Sequence, residues 1–252
     1  MTMQPTERFS TRVENYARYR PSYPAAVIEL LQATCGLAED SVVSDIACGT
    51  GIFTRLLLET GCRVIGVEPN AAMRSAGEEF LADYPKFTSI KGTAETTTLA
   101  DHSIDIVTAA QAAHWFNPEK AQREFRRILR PGGWLVLLWN VRSLDATPFA
   151  REYEQLLIDY GTDYEFVRHE GKAREVPEFF PGEPSTHGFL WRQEFNYAAL
   201  QGRLLSSSYS PEPSDSRYEP MLRELRRIFD VHKEHDRVAF DYDTLVHIGQ
   251  FS

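Results

Sequence analysis

The residues with the clearest chemical potential follow the first apolar run of the sequence. Asp45 precedes a turn with two glycines, Gly49 and Gly51, in the segment VVSDIACGTGIFT over residues 42–54. Glycines let the backbone approach a ligand closely. Glu68 ends the next apolar run, roughly 20 positions after Asp45, where an acidic side chain accepts hydrogen bonds from ribose hydroxyls. The pattern therefore predicts a ligand that contains a ribose.

The same turn departs from the dinucleotide fingerprint, which requires a third glycine. Ile52, Phe53 and Thr54 follow Gly51, and the lysine of a phosphate-binding loop is missing from the segment. The sequence therefore gives little support for pyrophosphate binding. The turn instead resembles motif I of class I S-adenosylmethionine-dependent methyltransferases, in which an acidic residue precedes a glycine turn and the ligand is an adenosine that carries a cationic methionine.

Three further segments carry the same resemblance, in the order of the family. They read KGTAE over residues 91–95, SIDIV over residues 103–107, and LRPGG over residues 129–133 before a hydrophobic run. Together with motif I they cover about residues 40 to 140, and the chain is identified as a member of the broad type 11 methyltransferase domain family. Two positions depart from the family pattern, since Ala47 replaces the usual first glycine and Pro69 stands where a turn residue is common.

The resemblance implies S-adenosyl-L-methionine as the cofactor and S-adenosyl-L-homocysteine as the product. Asp45 suits the positive charge of the methionine part, and Glu95 lies where the family accepts a hydrogen bond from the exocyclic amine of adenine. The cofactor-binding residues implied in this way are Asp45, Ala47, Cys48, Gly49, Gly51, Glu68, Pro69, Met73, Ala94, Glu95 and Gln111.

The N-terminal segment carries a narrower resemblance. FSTRV over residues 9–13, Tyr16, YRP over residues 19–21 and YP over residues 23–24 are similar to the start of methyltransferases related to trans-aconitate methyltransferase, where the segment folds over the cofactor. The resemblance implies that Tyr19 and Arg20 are positioning residues of a lid, and it makes Tyr23 a candidate substrate contact. The alternative is an aromatic N-terminal helix that packs on the sheet.

A histidine follows the fourth predicted strand, in the sequence QAAHWF over residues 111–116. The carboxyl ends of parallel strands face the ligand crevice, and a histidine there is a candidate general base for a hydroxyl or an amine. A structural role for His114 is an equal alternative. Trp115, Trp139 and Tyr209 are candidate substrate contacts. The segment lacks the Asn/Asp-Pro-Pro-aromatic motif of methyltransferases that act on amide or base nitrogens, which disfavours that substrate class.

The elements that must position these residues alternate between strands and helices. Strands are predicted over residues 42–46, 63–67, 87–91, 104–110 and 134–139, and helices over residues 24–33, 53–59, 71–83 and 118–129. This alternation predicts βαβ units and a parallel sheet that is covered on both faces. The pattern then predicts a helix over residues 146–160 and irregular structure or short helices over residues 161–188. It ends with a strand over residues 190–197, a helix over residues 221–232 and a strand over residues 237–249.

The predicted fold is α/β, a Rossmann-like doubly wound, mostly parallel seven-stranded sheet with an antiparallel C-terminal strand and helical lid insertions. Three regions are expected: an N-terminal lid and first helix (residues 1–35), an S-adenosylmethionine-binding core (residues 36–145), and helical substrate-cap insertions with the last strands (residues 146–252).

The composition and charge of the sequence argue against several classes of binding partner. The formal net charge of −9 and the pI of about 5.3 oppose nucleic-acid binding. Three cysteines without metal-ligand spacing argue against a disulfide framework and a metal site. The sequence has no apolar stretch of about 20 residues, so we expect a cytoplasmic protein without membrane contact. We also expect a monomer or a homodimer.

The predicted function is S-adenosylmethionine-dependent methyl transfer to a small molecule, with a carboxylic acid as the most concrete acceptor. Two alternatives remain open at this point. One is a non-catalytic protein that binds S-adenosylmethionine or S-adenosylhomocysteine, and the other is a nicotinamide-dependent oxidoreductase.

Overall fold

The computed structural model describes residues 19–164 and 176–251, and the N-terminal segment before Tyr19 that carries the narrower resemblance lies outside them. Within these ranges seven strands form one sheet in the order β3-β2-β1-β4-β5-β7-β6. The strands are β1 (Val42–Ile46), β2 (Arg63–Val67), β3 (Phe87–Ile90), β4 (Ile104–Ala110), β5 (Leu129–Arg142), β6 (Ser185–Phe195) and β7 (Val238–Gln250).

Strands β1 to β5 pair with their neighbours in parallel, whereas β7 is antiparallel to both β5 and β6. The predicted mostly parallel seven-stranded sheet with an antiparallel C-terminal strand is therefore confirmed. The strand order reverses between β1 and β4, which opens a crevice at the carboxyl ends of these strands.

The helices in the described ranges are α1 (Ala25–Cys35), α2 (Ile52–Leu58), α3 (Ala71–Phe80), α4 (Pro118–Ile128), α5 (Pro148–Tyr160), α6 (Tyr197–Leu205) and α7 (Tyr218–His232). Several begin where the sequence supplies a cap. Asn117 accepts the backbone N–H of Lys120 at 3.0 Å before α4, and Thr147 accepts that of Ala150 at 3.0 Å before α5. Such caps satisfy backbone donors that the first turn leaves unpaired.

The core lies on both faces of the sheet. Along β5 the alternate residues Leu135, Leu137 and Trp139 join one apolar cluster, and Val136 and Leu138 join the other. This alternation follows from the two-residue period of a strand, and burial on both faces explains the nearly unbroken apolar run. A third cluster packs α5, α6 and α7 against the ends of β6 and β7.

The structure differs from the predicted elements mainly in the C-terminal half. Strand β5 starts at Leu129 and continues to Arg142, because β7 pairs with its polar end as far as Arg142 opposite Tyr242. Strand β6 starts at Ser185, inside the range predicted to be irregular, and helix α6 was not predicted. Asn196 caps α6 by accepting the N–H of Ala199 at 2.9 Å, which ends the strand before Tyr197.

Within residues 19–164 and 176–251 no helix combines the length and apolar character needed to cross a lipid bilayer. The proposed division into three regions stays a prediction.

Candidate functional site

A cavity of about 490 Å³ lies at the carboxyl ends of the parallel strands. This volume is within the usual range for small-molecule sites. Of the 18 residues that the sequence predicts for the site, the cavity is lined by all except Tyr19 and Gly51. The predicted lining residues are Arg20, Tyr23, Asp45, Ala47, Cys48, Gly49, Glu68, Pro69, Met73, Ala94, Glu95, Gln111, His114, Trp115, Trp139 and Tyr209.

Asp45 lies at the end of β1 and is 1% exposed. Its carboxylate accepts hydrogen bonds from the hydroxyls of Thr54 at 2.6 Å and Thr108 at 2.9 Å. Burial, with a smaller contribution from the nearby Glu68, nevertheless raises the pKa of Asp45 to about 6. A cation placed in the cavity beside Asp45 would lower this pKa and favour the ionised form.

Glu68 follows β2, and its carboxylate connects the glycine turn after β1 with the residue that caps α3. Its Oε2 accepts the backbone N–H of Gly49 at 3.0 Å, and its Oε1 accepts that of Asn70 at 2.8 Å. Asn70 in turn caps α3 by accepting the N–H of Met73 at 3.0 Å. Burial raises the pKa of Glu68. Each carboxylate oxygen retains an acceptor site for a ligand hydroxyl, since a carboxylate accepts about four hydrogen bonds.

The turn after β1 depends on left-handed backbone. Ala47 has φ 54°, Gly49 has φ 57° and Gly51 has φ 84°. Ala47 therefore occupies a conformation that costs an L-residue roughly 1–2 kcal/mol. Gly51 is predicted as a cofactor contact but does not line the cavity. A Cβ at Gly51 would lie 2.6 Å from Leu81 Cδ1, so this glycine permits α2 to pack against the end of α3.

Glu95, in the segment that is predicted to bind adenine, and Gln111, a further predicted cofactor contact, both line the cavity. Glu95 Oε1 accepts the backbone N–H of Asn117 at 2.9 Å. Gln111 follows β4 with φ 59°, and its N–H donates to Leu138 O at 2.8 Å. Its side chain donates to Asn140 O at 3.1 Å, which joins the ends of β4 and β5. A strained non-glycine residue at this edge is typical of a functional site.

Aromatic side chains line the part of the cavity beyond the turn. His114 lies in a short 3₁₀ turn (Ala113–Trp115), with its ring centroid 4.7 Å from that of Trp115. Tyr23 packs edge-on to Phe53 at 5.1 Å. Trp139 and Tyr209 also line the cavity. These surroundings suit a small organic ligand, because the walls are apolar while a few polar groups face inward.

The two predicted lid residues occupy different positions. Arg20 lines the cavity, and its Nη2 donates to Ser206 O at 3.1 Å. Tyr19 does not line it, because its ring packs over Gly202 in α6, where any added Cβ would overlap the ring. Arg20 therefore links the N-terminal segment to the chain after α6. The roles of both residues stay predictions.

Sequence reasoning missed a group of polar residues at the cavity wall. Arg142 lies at the end of β5, Tyr242 opposite it on β7, Arg203 on α6, and Tyr164 after α5. If the predicted strand had been continued beyond Trp139, Arg142 would have been among the candidate site residues. Arg203 gave no such signal, since it lies in a helix that the sequence pattern did not reveal.

The described residues contain no group of three or more His, Cys, Asp or Glu side chains that is placed to hold a metal ion.

Comparison with known proteins identifies the family. A family defined as a methyltransferase domain matches residues 44–137. An uncharacterized methyltransferase of Mycobacterium tuberculosis is 35% identical over 201 residues, which cover 80% of this chain and 76% of that protein. An uncharacterized methyltransferase-like protein of Schizosaccharomyces pombe is 32% identical over 72% of this chain and 66% of its own length.

Solved structures agree in fold. A protein described as a candidate type II methyltransferase from Anaeromyxobacter dehalogenans has a TM-score of 0.69 at 22% identity, covering 92% of this chain and 98% of that one. The YcgJ protein of Bacillus subtilis has a TM-score of 0.52 at 18% identity, covering 91% and 100%. With the relatives above, these findings confirm that the chain belongs to the class I S-adenosylmethionine-dependent methyltransferases.

Proposed function

We propose that this enzyme transfers the methyl group of S-adenosylmethionine to a small carboxylic acid. The observation that carries the proposal is the division of charge in the cavity. Asp45, Glu68 and Glu95 line one part, whereas Arg20, Arg142 and Arg203 line another. The acidic part suits a cationic ligand rich in hydrogen-bond donors, and the basic part suits an anionic acceptor.

The acidic part fits the cofactor through its donor groups. S-adenosylmethionine offers two ribose hydroxyls, an adenine amine, an ammonium and a positive sulfonium, and each is complementary to a carboxylate. Glu68 would hold the ribose, Asp45 the cationic methionine part and Glu95 the adenine amine. A nicotinamide dinucleotide would also place a ribose on Glu68, but its two phosphates would have to lie on the turn after β1, which lacks the third glycine of the dinucleotide fingerprint.

When bound, S-adenosylmethionine supplies an electrophilic methyl that an acceptor oxygen attacks in line with the departing sulfur, giving a methyl ester and a neutral thioether. The residues of the chain align the acceptor with this methyl and exclude water. Such alignment can lower a barrier by several kcal/mol, up to about 7 to 11 in favourable models. Trp139 and Tyr23, both buried, would form the walls that hold the acceptor.

A carboxylate acceptor requires no general base, because it attacks in its ionised form. His114 would then contribute to the shape of the acceptor pocket rather than move a proton. A hydroxyl acceptor would instead give His114 the role of a base. The basic lining of the cavity favours the carboxylate, since a neutral phenol or amine gains nothing from three arginines.

Two measurements test the proposal. Thermal unfolding with S-adenosylhomocysteine or NAD compares the ligands, since a ligand at 100 times its dissociation constant stabilises by about 2.7 kcal/mol. We expect stabilisation by S-adenosylhomocysteine alone, and stabilisation by NAD alone would refute the cofactor assignment.

The second measurement follows labelled methyl groups from S-adenosylmethionine into a panel of small acids, phenols and amines, and into cell extract. We expect base-labile label in acids, as methyl esters release methanol in alkali. Base-stable label in phenols or amines would contradict the acceptor class, and no transfer in extract would indicate a non-catalytic binder.

A further inference from the structure

We propose that Arg203 and Arg142 form an anion-binding subsite in the cavity, and that it binds a carboxylate of the acceptor other than the one that is methylated. The inference rests on the proposed function, because it assigns part of the same cavity to the acceptor. It goes further by naming the residues that select the acceptor and the group that they bind.

Among the residues that the structure describes, Arg203 is a buried cation without a neutralising partner. It is 8% exposed, and α6 places it next to the fully buried Leu204. Its Nη1 donates to Ser207 Oγ at 3.2 Å, and its buried Nε has no hydrogen-bond acceptor within the described ranges. None of the carboxylates in those ranges forms an ion pair with it. A guanidinium stays charged in proteins, and a buried unpaired charge is costly, so Arg203 favours an incoming anion.

Arg142 supplies a second donor but brings no uncompensated charge. Its Nη2 pairs with Glu154 Oε2 at 2.5 Å, and Tyr164 donates its hydroxyl to the same carboxylate at 2.7 Å. The Arg142 guanidinium also lies over the ring of Tyr153, with Cζ 5.1 Å from the centroid. Its Nη1 is buried and makes no hydrogen bond with the residues that the structure describes. The two arginines and Glu154 together therefore carry one net positive charge, which one carboxylate would balance.

Tyr242 adds a neutral donor at the same place. It is 1% exposed, lines the cavity, and pairs with Arg142 across β5 and β7. Its ring stacks on Trp191 at 5.3 Å, which fixes its orientation. The hydroxyl oxygen lies close enough to Arg203 to interact with its guanidinium, while the hydroxyl proton has no acceptor within residues 19–164 and 176–251. Buried polar groups are normally hydrogen-bonded, so unused donors on Arg203, Arg142 and Tyr242 indicate a ligand that accepts from them.

The subsite lies further along β5 than the predicted cofactor contact Gln111, which directly follows Ala110 at the end of β4. Ala110 lines the cavity at the end of β4 and pairs with Leu138 on β5. Arg142 lies four residues further along β5, which is about 13 Å at the usual rise of a strand. This separation is comparable to the length of a small acceptor. A carboxylate at the subsite would therefore anchor one end of the acceptor while its other end faces the methyl.

Calorimetric binding to the protein saturated with S-adenosylhomocysteine tests the subsite without turnover. The probes are linear dicarboxylates of four to seven carbons and their diamides, which keep the length but lose both charges. We expect at least one dicarboxylate to bind about 10- to 100-fold more tightly than its diamide, as charged hydrogen bonds predict. Arg203→Gln should reduce this ratio to near one, whereas the control Arg226→Gln, an exposed surface change on α7, should preserve it.

Equal affinities of every dicarboxylate and its diamide for the wild-type protein would overturn the inference, as would an unchanged ratio in Arg203→Gln. If Arg203→Gln does not fold, Arg203→Lys retains the charge but loses the planar fork, and it should give a reduced ratio. Failure of the wild-type protein to bind S-adenosylhomocysteine would refute the proposed function itself. Binding of S-adenosylhomocysteine without discrimination between the probes would refute only the subsite.

Discussion

Replacement of Glu68 offers a quantitative test of the cofactor site. Its carboxylate accepts the backbone N–H groups of Gly49 and Asn70, and we propose that it also accepts two ribose hydroxyls. Loss of hydrogen bonds to a charged acceptor costs about 1.5 to 3 kcal/mol. Glu68→Ala should therefore raise the dissociation constant of S-adenosylhomocysteine about 10- to 150-fold.

The alanine variant also leaves two buried backbone donors without their acceptor. Each such donor costs about 1 to 3 kcal/mol, so Glu68→Ala should lower the free energy of unfolding as well. Glu68→Gln separates the two effects, because its amide oxygen still accepts one backbone N–H while the charge is lost. We expect at least a tenfold loss of affinity for Glu68→Gln, with less destabilisation than for Glu68→Ala.

Isothermal titration calorimetry at 25 °C measures the affinities, and urea unfolding measures the stabilities. Glu78→Gln is the matched control, because Glu78 lies on α3 with a half-exposed side chain that pairs with Arg74. It should leave the affinity unchanged. If Glu68→Gln binds S-adenosylhomocysteine within twofold of the wild-type protein, the assignment of Glu68 to the ribose is wrong.

Three further substitutions test other parts of the account. Burial raises the pKa of Asp45 to about 6 from its ordinary 3.8, so the native state keeps a proton that the unfolded chain loses. Between pH 4 and pH 7 the ligand-free protein should therefore lose about 2 kcal/mol of unfolding free energy relative to Asp45→Asn, and parallel pH profiles in urea unfolding would contradict this. Ala47→Gly should raise the melting temperature by about 2 to 4 °C, since it removes roughly 1 kcal/mol of strain from the left-handed backbone of residue 47. If calorimetry shows no increase, the alanine is not strained in this turn. With a carboxylic acid acceptor, His114→Ala should raise KM and lower kcat less than tenfold, whereas a loss of about 100- to 10,000-fold in steady-state kcat would identify a general base.

The first half of the fold was predictable from local pattern. Strands β1, β2 and β4 match their predicted bounds, because buried parallel strands read as short apolar runs that glycine and proline interrupt. The same strands bring Asp45 and Glu68 to one edge, so the acidic part of the cavity was also foreseen.

The basic part of the cavity was not foreseen, and the reason is physical. Arg142 extends β5 beyond its apolar run, and only pairing with β7 keeps that segment in the sheet. Arg203 lies on a nine-residue helix whose stability comes from packing in the cluster with α5 and α7 rather than from its own sequence. Contacts between segments distant in sequence determine both positions, and local patterns do not report them.

A crystal structure of the protein with S-adenosylhomocysteine tests the central claim most directly. We predict both ribose hydroxyls within hydrogen-bond distance of the Glu68 carboxylate, about 2.5 to 3.2 Å, with the amino acid part over the turn beside Asp45. The same crystals would contradict the account if the adenosine lay outside this cavity, or if Glu68 contacted only the backbone of Gly49 and Asn70.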